Sequence, residues 1–205
     1  MTATRYSMSF TTGALLHHES LKLSALYMSL RQWDKVRNAV IADNAVQART
    51  TNTLKRFTNE IISRLKTLSE REIIFLNEAD YTEQRYLLWI AVCRRYPFIA
   101  DFAIHIVYDN FVSLKYSVTH EDYDVFFGKQ AVWHSELDRI APSTKNKLRQ
   151  TLFKMMREAH ILDSDNSIIP VMPGGAFRAI LARAEQHETM FLPIAELTRS
   201  ARRAG

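Results

Sequence analysis

Between residues 48 and 68, Leu54, Phe57, Ile61, Leu65 and Leu68 fall on one stripe, and Asn52, Arg56, Asn59, Ser63 and Lys66 fall on the opposite one. At about 100° per residue this is an amphipathic helix, apolar side inward and basic side outward. The pattern returns from Pro142 to Glu158. There Leu148, Leu152, Met155 and Ala159 share one face, and Asn146, Lys147, Gln150, Lys154 and Arg157 share the other. Each helix opens on Ser, Thr, Asn and basic residues and follows two shorter amphipathic segments. That is the order of a helix-turn-helix whose reading helix comes last, and it occurs twice.

The remaining periodicity is also helical. Thr11 and Thr12 are placed to cap a turn at residues 13–18, and Ser20 to cap a segment carrying Leu23, Leu26, Tyr27 and Leu30. Trp33, Val36 and Val40 mark a third helix ending near Asp43 and Asn44. Ser69 heads an acidic helix, and Thr82 heads another that stops at Tyr96. Pro97 suits the first turn of the next, FIADFAIHIVYDNFVSLKY, which is apolar on most sides and belongs in the core. Thr119 and Asp122 form a capping-box pattern ahead of Tyr123, Phe126, Phe127 and Ala131, a helix that Gly128 loosens or ends. Trp133, Leu137 and Ile140 mark the next, and Ser143 caps the second basic helix.

Two β-branched runs then flank Ser164-Asp165-Asn166-Ser167, which predicts a small hairpin. Pro173-Gly174-Gly175 precedes a helix through Phe177, Ile180, Leu181 and Ala184. Pro193 begins a last short helix before a basic tail at residues 199–205. The expected architecture is therefore all-α, with two helix-turn-helix-like units, the second followed by a β-hairpin wing. It divides into an N-terminal unit (1–68), central core helices (69–118) and a C-terminal winged unit (119–205), together one compact body.

At 205 residues the chain is one large or two small domains, able to bury roughly 70% of its unfolded surface. Hydrophobic residues at 47% and charged residues at 24% exclude general disorder, and five Gly and five Pro are few for a loop-rich or all-β chain. The single cysteine, Cys93, makes no internal disulfide, rules out a multi-cysteine metal site, and suits a small core position. No signal-peptide pattern opens the chain. Its longest apolar run, Leu87 to Cys93, is far short of the ~20 residues of a membrane helix. The expectation is a cytoplasmic protein with no membrane association, monomeric or weakly oligomeric.

The net charge is +5, and its distribution matters more than its size. Arg49, Lys55, Arg56, Arg64 and Lys66 face only Glu60 in the first basic helix; Lys145, Lys147, Arg149, Lys154 and Arg157 face only Glu158 in the second. The helices at 69–83 and 119–138 carry the opposite bias. Positive charge is thus gathered where a helix-turn-helix meets phosphate, and Thr, Asn and Gln at those helix starts can donate to phosphate or pair with adenine. The candidate DNA-binding residues are Arg49, Thr51, Asn52, Lys55, Arg56 and Lys66, with Ser143, Lys145, Asn146, Lys147, Arg149, Gln150 and Lys154. The plainer alternative is that these cations solvate two surface helices.

Chemistry of other kinds is poorly represented. Asp101, His105 and Asp109 stand at i, i+4 and i+8, where carboxylates can orient an imidazole, but no fourth metal ligand is indicated. His17-His18-Glu19 lacks the HExxH spacing, and His134 with Glu136 lacks the cysteine pair of nucleobase deaminases. Pro173-Gly174-Gly175 reads as a turn rather than an anion loop. No GxGxxG or GxxxxGK[ST] occurs. The chain is read as non-enzymatic, with no metal and no cofactor.

The run from Tyr6 to Leu68 resembles the A component of BREX (bacteriophage exclusion) systems. The resemblance lies in Ser9 with Gly13, Glu19, the Leu26-Tyr27 pair, Trp33 ahead of Val36, Asn44, Arg49 and Arg64-Leu65, and it extends over most of the chain. It implies a small all-helical phage-defence protein that binds double-stranded DNA beside a site-specific DNA methyltransferase and other BREX components. The competing possibility is a protein–protein assembly module of the defence complex, with Tyr123, Phe126, Phe127 and Trp133 as a partner patch instead of core.

Overall fold

The computed structural model describes residues 5–11, 14–43 and 50–194. Their regular structure is helical: α1 (His17–Leu30), α2 (Trp33–Ala42), α3 (Thr51–Leu65), α4 (Glu70–Glu78), α5 (Tyr81–Arg95) and α6 (Pro97–Phe102). A π-helical segment, Ala103–Tyr108, joins α6 to α7 (Asp109–Val112). Then follow α8 (His120–Ala131), α9 (Ser135–Asp138), α10 (Pro142–Glu158), α11 (Gly175–Leu181) and a 3₁₀ turn, Gln186–Phe191. The all-α expectation holds. The wing does not: no β-strand occurs among the described residues, only isolated bridges at Ser117–Ser167, Leu162–Ile168 and Val171–Ile194.

The expected hairpin fails for a physical reason. Its turn is present, with Asp163 Oδ1 accepting the N–H groups of Asp165 and Ser167, and Asn166 at φ 61°. Its flanks, however, are core residues; Ile161, Leu162 and Ile168 are buried. Ile168 N–H donates to Tyr116 O and Val118 N–H to Asn166 O, so the turn is held down by the segment before α8 and does not project as a ribbon. The apolar residues here anchor the turn on the core and do not build a projecting two-stranded wing.

The core centres on α5, in which every residue from Tyr86 to Cys93 is buried. A helix apolar all round must be covered all round, and α5 packs against α3, α4, α6, α10 and the 3₁₀ turn. Trp89 at its middle donates Nε1–H to Phe191 O at 2.8 Å. Helices α1, α2 and α3 pack mutually beside it. Cys93 is a buried free thiol.

Local signals placed several helix ends correctly and others by a few residues. Ser69 with Glu72 and Thr119 with Asp122 are complete capping boxes, and Pro97 opens α6. Ser20, by contrast, is buried inside α1, which starts at His17 after Leu16 in the left-handed region, and Asp80, not Thr82, caps α5. Helix α8 continues through Gly128 to Ala131. Ser143 lies within the first turn of α10, whose N-cap is Ala141. The expected cap at Thr12 and the tail at residues 199–205 fall outside the described residues, as does all of the expected last helix beyond Ile194.

Arg94 joins three elements. Its guanidinium holds Glu72 of α4 at 2.9 Å and Glu188 of the 3₁₀ turn at 2.7 Å, all three side chains being largely buried. Burial raises the pKa of Glu72, but bonds from Arg94 and Ser69 outweigh it and hold the carboxyl below its ordinary value. A folded pKa below the unfolded one gives stability that is complete above the unfolded value, ~4.3, and is lost as pH falls through the folded one. Urea midpoints should therefore drop on acidification below about pH 4.3, and Glu72→Gln should flatten that drop; an identical pH profile for the variant would contradict it.

Candidate nucleic-acid interface

Helix α3 starts because Thr50 in extended conformation accepts the N–H of Thr53, and its Leu54, Thr58, Ile61 and Leu65 stripe is buried. Thr51, Asn52, Lys55 and Arg56 are exposed along its first half. Lys66 is exposed too, but at the far end, about 20 Å along the axis. Arg64 is internal, 3% exposed, bonding Glu60 at 2.7 Å and Ala14 O at 2.8 Å. Its charge ties α3 to the chain before α1 and is withdrawn from any ligand. Arg49 lies outside the described residues.

Helix α10 buries Leu148, Thr151, Leu152, Phe153, Met155 and Met156. Ser143, Asn146, Lys147, Gln150 and Lys154 are exposed; Lys145 and Arg149 are half-buried. The last two share one carboxylate, Asp124 of α8, which Lys145 meets at 3.1 Å and Arg149 in a close contact. Lys145 Nζ also lies 4.8 Å from the Phe127 ring centroid. Lys154 is 3.7 Å from Glu158, and Arg157 donates to Asn166 Oδ1 at 2.8 Å. The cations of the two helices are therefore not equivalent. Among the described residues Lys55, Arg56 and Lys66 of α3 and Lys147 of α10 have no carboxylate partner, while Lys145, Arg149 and Lys154 do.

The first halves of the two helices border one depression. Among the described residues, Arg56 of α3, Ser143, Thr144 and Lys147 of α10, and Thr11 line this open depression of about 430 Å³. The first backbone hydrogen bond of α10 is Lys145 N–H to Ala141 O, and Ala141 has no side-chain acceptor to cap the turn. The described lining residues are cationic or hydroxylic. Thr51, Asn52 and Lys55 belong to the same end of α3 as Arg56, and Asn146 and Gln150 to the same helix as Lys147; Lys66 and Lys154 stand apart along their helices. Thr144 was not among the expected residues, although it lies one turn before Lys147 on the same face. Thr11 was read only as a cap.

Thr11 is brought there by the segment 5–11. Tyr6 donates its N–H to Glu136 Oε1 at 2.6 Å and its hydroxyl to Asp101 Oδ2 at 2.5 Å, and its ring stacks on His134 at 3.8 Å. Burial, with Asp101 beside it, raises the Tyr6 hydroxyl pKa. Asp101 is thus engaged structurally, while His105 and Asp109 are 3.9 Å apart and more than half exposed. A π-helical segment runs through this stretch, and of the i, i+4, i+8 strip the His105–Asp109 pair is the one in contact among the described residues, Asp101 being turned to Tyr6. Of the aromatic cluster, Tyr123, Phe126 and Phe127 are core, and Trp133 is 79% exposed beside Val132 at 74%. No helix among the described residues is long and apolar enough to cross a membrane.

Comparison with known proteins follows the same lines. Residues 4–185 match the family model described as BrxA. The BREX protein BrxA of Escherichia coli O9:H4 (strain HS) is 26% identical over 152 residues, which cover 74% of this chain and 71% of that protein. The BREX protein BrxA of Bacillus cereus (strain H3081.97) is 21% identical over 157 residues, 77% of this chain and 78% of that one. In three dimensions the chain is similar to the crystal structure of an uncharacterized protein from Magnetospirillum magneticum. The TM-score is 0.80 at 18% identity, over 93% of this chain and 100% of the other. That likeness speaks to the fold alone.

Proposed function

Because the chain belongs to the BrxA family, we propose that it is a non-enzymatic, double-stranded-DNA-binding component of a BREX phage-defence system. It acts there with a DNA methyltransferase and the other system components. The observation that carries this reading is the meeting of α3 and α10 at one depression, with Arg56 and Lys147 free of carboxylate partners among the described residues. A surface cation with no carboxylate beside it is available to a polyanion. Two such cations, one from each helix, line the depression, and Thr51, Asn52 and Lys55 of α3 and Asn146 and Gln150 of α10 are exposed on the same two helices. Backbone contact is the main mode, and reading of base edges is secondary.

Counterion release supplies the test. If about six phosphates are neutralised, the logarithm of the duplex association constant should fall with the logarithm of salt with a slope near −5. Binding that is flat across a salt series, or absent at low salt, would refute the reading.

A second reading has its own observation. Val132 and Trp133 form an exposed apolar pair at the end of α8, and an exposed tryptophan is a common anchor for protein partners. An assembly role for this face predicts that Trp133→Ala weakens co-purification of other BREX components while leaving duplex affinity unchanged. Loss of both together would not fit a separate assembly face.

A further inference from the structure

The depression between α3 and α10 does more than place two basic helices on one side of the molecule. We infer that it is a clamp for a single backbone phosphate of duplex DNA, closed by Arg56 from one helix and Lys147 from the other. This rests on the DNA-binding reading above and assigns its anchoring contact. Three observations support it. The described lining is Thr11, Arg56, Ser143, Thr144 and Lys147, that is, two cations and three hydroxyls without a carboxylate. Its volume, about 430 Å³, exceeds a phosphate group and leaves room for the flanking sugar oxygens. The neighbouring cations Lys145 and Arg149 both contact Asp124, whereas Arg56 and Lys147 meet no carboxylate among the described residues.

The chemistry divides between the residues. A guanidinium presents paired donors to two phosphate oxygens, an ammonium adds a mobile point charge, and hydroxyls donate to the oxygens that remain. A phosphodiester held from both sides links the two helices through the ligand, so one duplex engages both at the same point.

The test is a double-mutant cycle on the full chain, read by fluorescence anisotropy with a duplex of mixed sequence. The variants are Arg56→Ala, Lys147→Ala and the double, each with its thermal melt to establish folding. A shared phosphate predicts that each single change weakens binding about tenfold and that the double weakens it little further. It also predicts that the double reduces the salt slope by about 0.9, the value for one phosphate, and not by about 1.8, the value for two. Multiplicative losses with the larger slope change would overturn the clamp while leaving DNA binding intact. A wild type that does not bind duplex would remove the functional reading and the clamp with it. Inorganic phosphate at constant ionic strength is the remaining arm. It should compete poorly, because a free ion lacks the contacts along both helices; efficient displacement of the duplex would make the cavity a free-phosphate site and overturn the assignment.

Discussion

Replacing Arg94 with methionine is expected to destabilise the protein by about 3–5 kcal/mol, because it leaves two largely buried carboxylates facing each other without a cation. For a chain of this size that corresponds to a fall in melting temperature of roughly 6–20 °C. Arg94 holds Glu72 through both guanidinium NH₂ groups at 2.9 Å, and Glu188 at 2.7 and 2.8 Å. It also donates to Thr67 O at 3.2 Å, so its loss frees a carbonyl as well. The cost lies in the unpaired carboxylates more than in the lost attraction. Adding Glu72→Gln and Glu188→Gln to Arg94→Met should therefore recover part of the stability. The single variant should also lose less, relative to wild type, under mildly acidic conditions that protonate the stranded carboxyls. A change of under 1 kcal/mol by urea titration, or no recovery in the triple variant, would contradict this role.

The second large effect is functional. Arg56→Glu combined with Lys147→Glu is expected to lower duplex affinity roughly 100-fold or more at moderate salt, since two attractive contacts become repulsive ones. Both side chains are exposed and take part in no ion pair among the described residues, so the melting temperature should stay near that of wild type. Lys145→Ala and Arg149→Ala should cost far less. Both already engage Asp124, which offsets one of their two charges, and removing one leaves that carboxylate with the other. If Lys145→Ala with Arg149→Ala weakened binding as much as Arg56→Ala with Lys147→Ala, charge would be acting as a diffuse field and the distinction drawn from the ion pairs would fail. The comparison can be made in one set of anisotropy titrations.

That distinction could not be read along the chain. The stripes of α3 and α10 were legible because helical period and burial coincide there, and the capping boxes at Ser69 and Thr119 because their partners are three residues away. The partners of the cations are not local. Asp124 reaches Lys145 and Arg149 from another helix, and Arg64 turns inward to carbonyls some 50 residues earlier in the chain. A helical wheel counts such residues as surface charge. The π-helical segment at Ala103–Tyr108 lay within a mostly apolar run whose period carries no mark of the extra residue. The hairpin expectation erred in a related way, taking a real Asx-type turn with β-branched flanks for a free ribbon, when the flanks belong to the core. The meeting of Arg56 with Lys147 is tertiary in origin, and only the fold reveals it.

Amide NMR perturbation by a short duplex tests the joint use of both helices most directly. Engagement of one duplex at the shared depression predicts that the amides of Thr51 to Arg56 and of Ser143 to Lys147 shift together, along one binding isotherm, with Trp133 unaffected. Shifts confined to one helix, or centred on Val132 and Trp133, would contradict it.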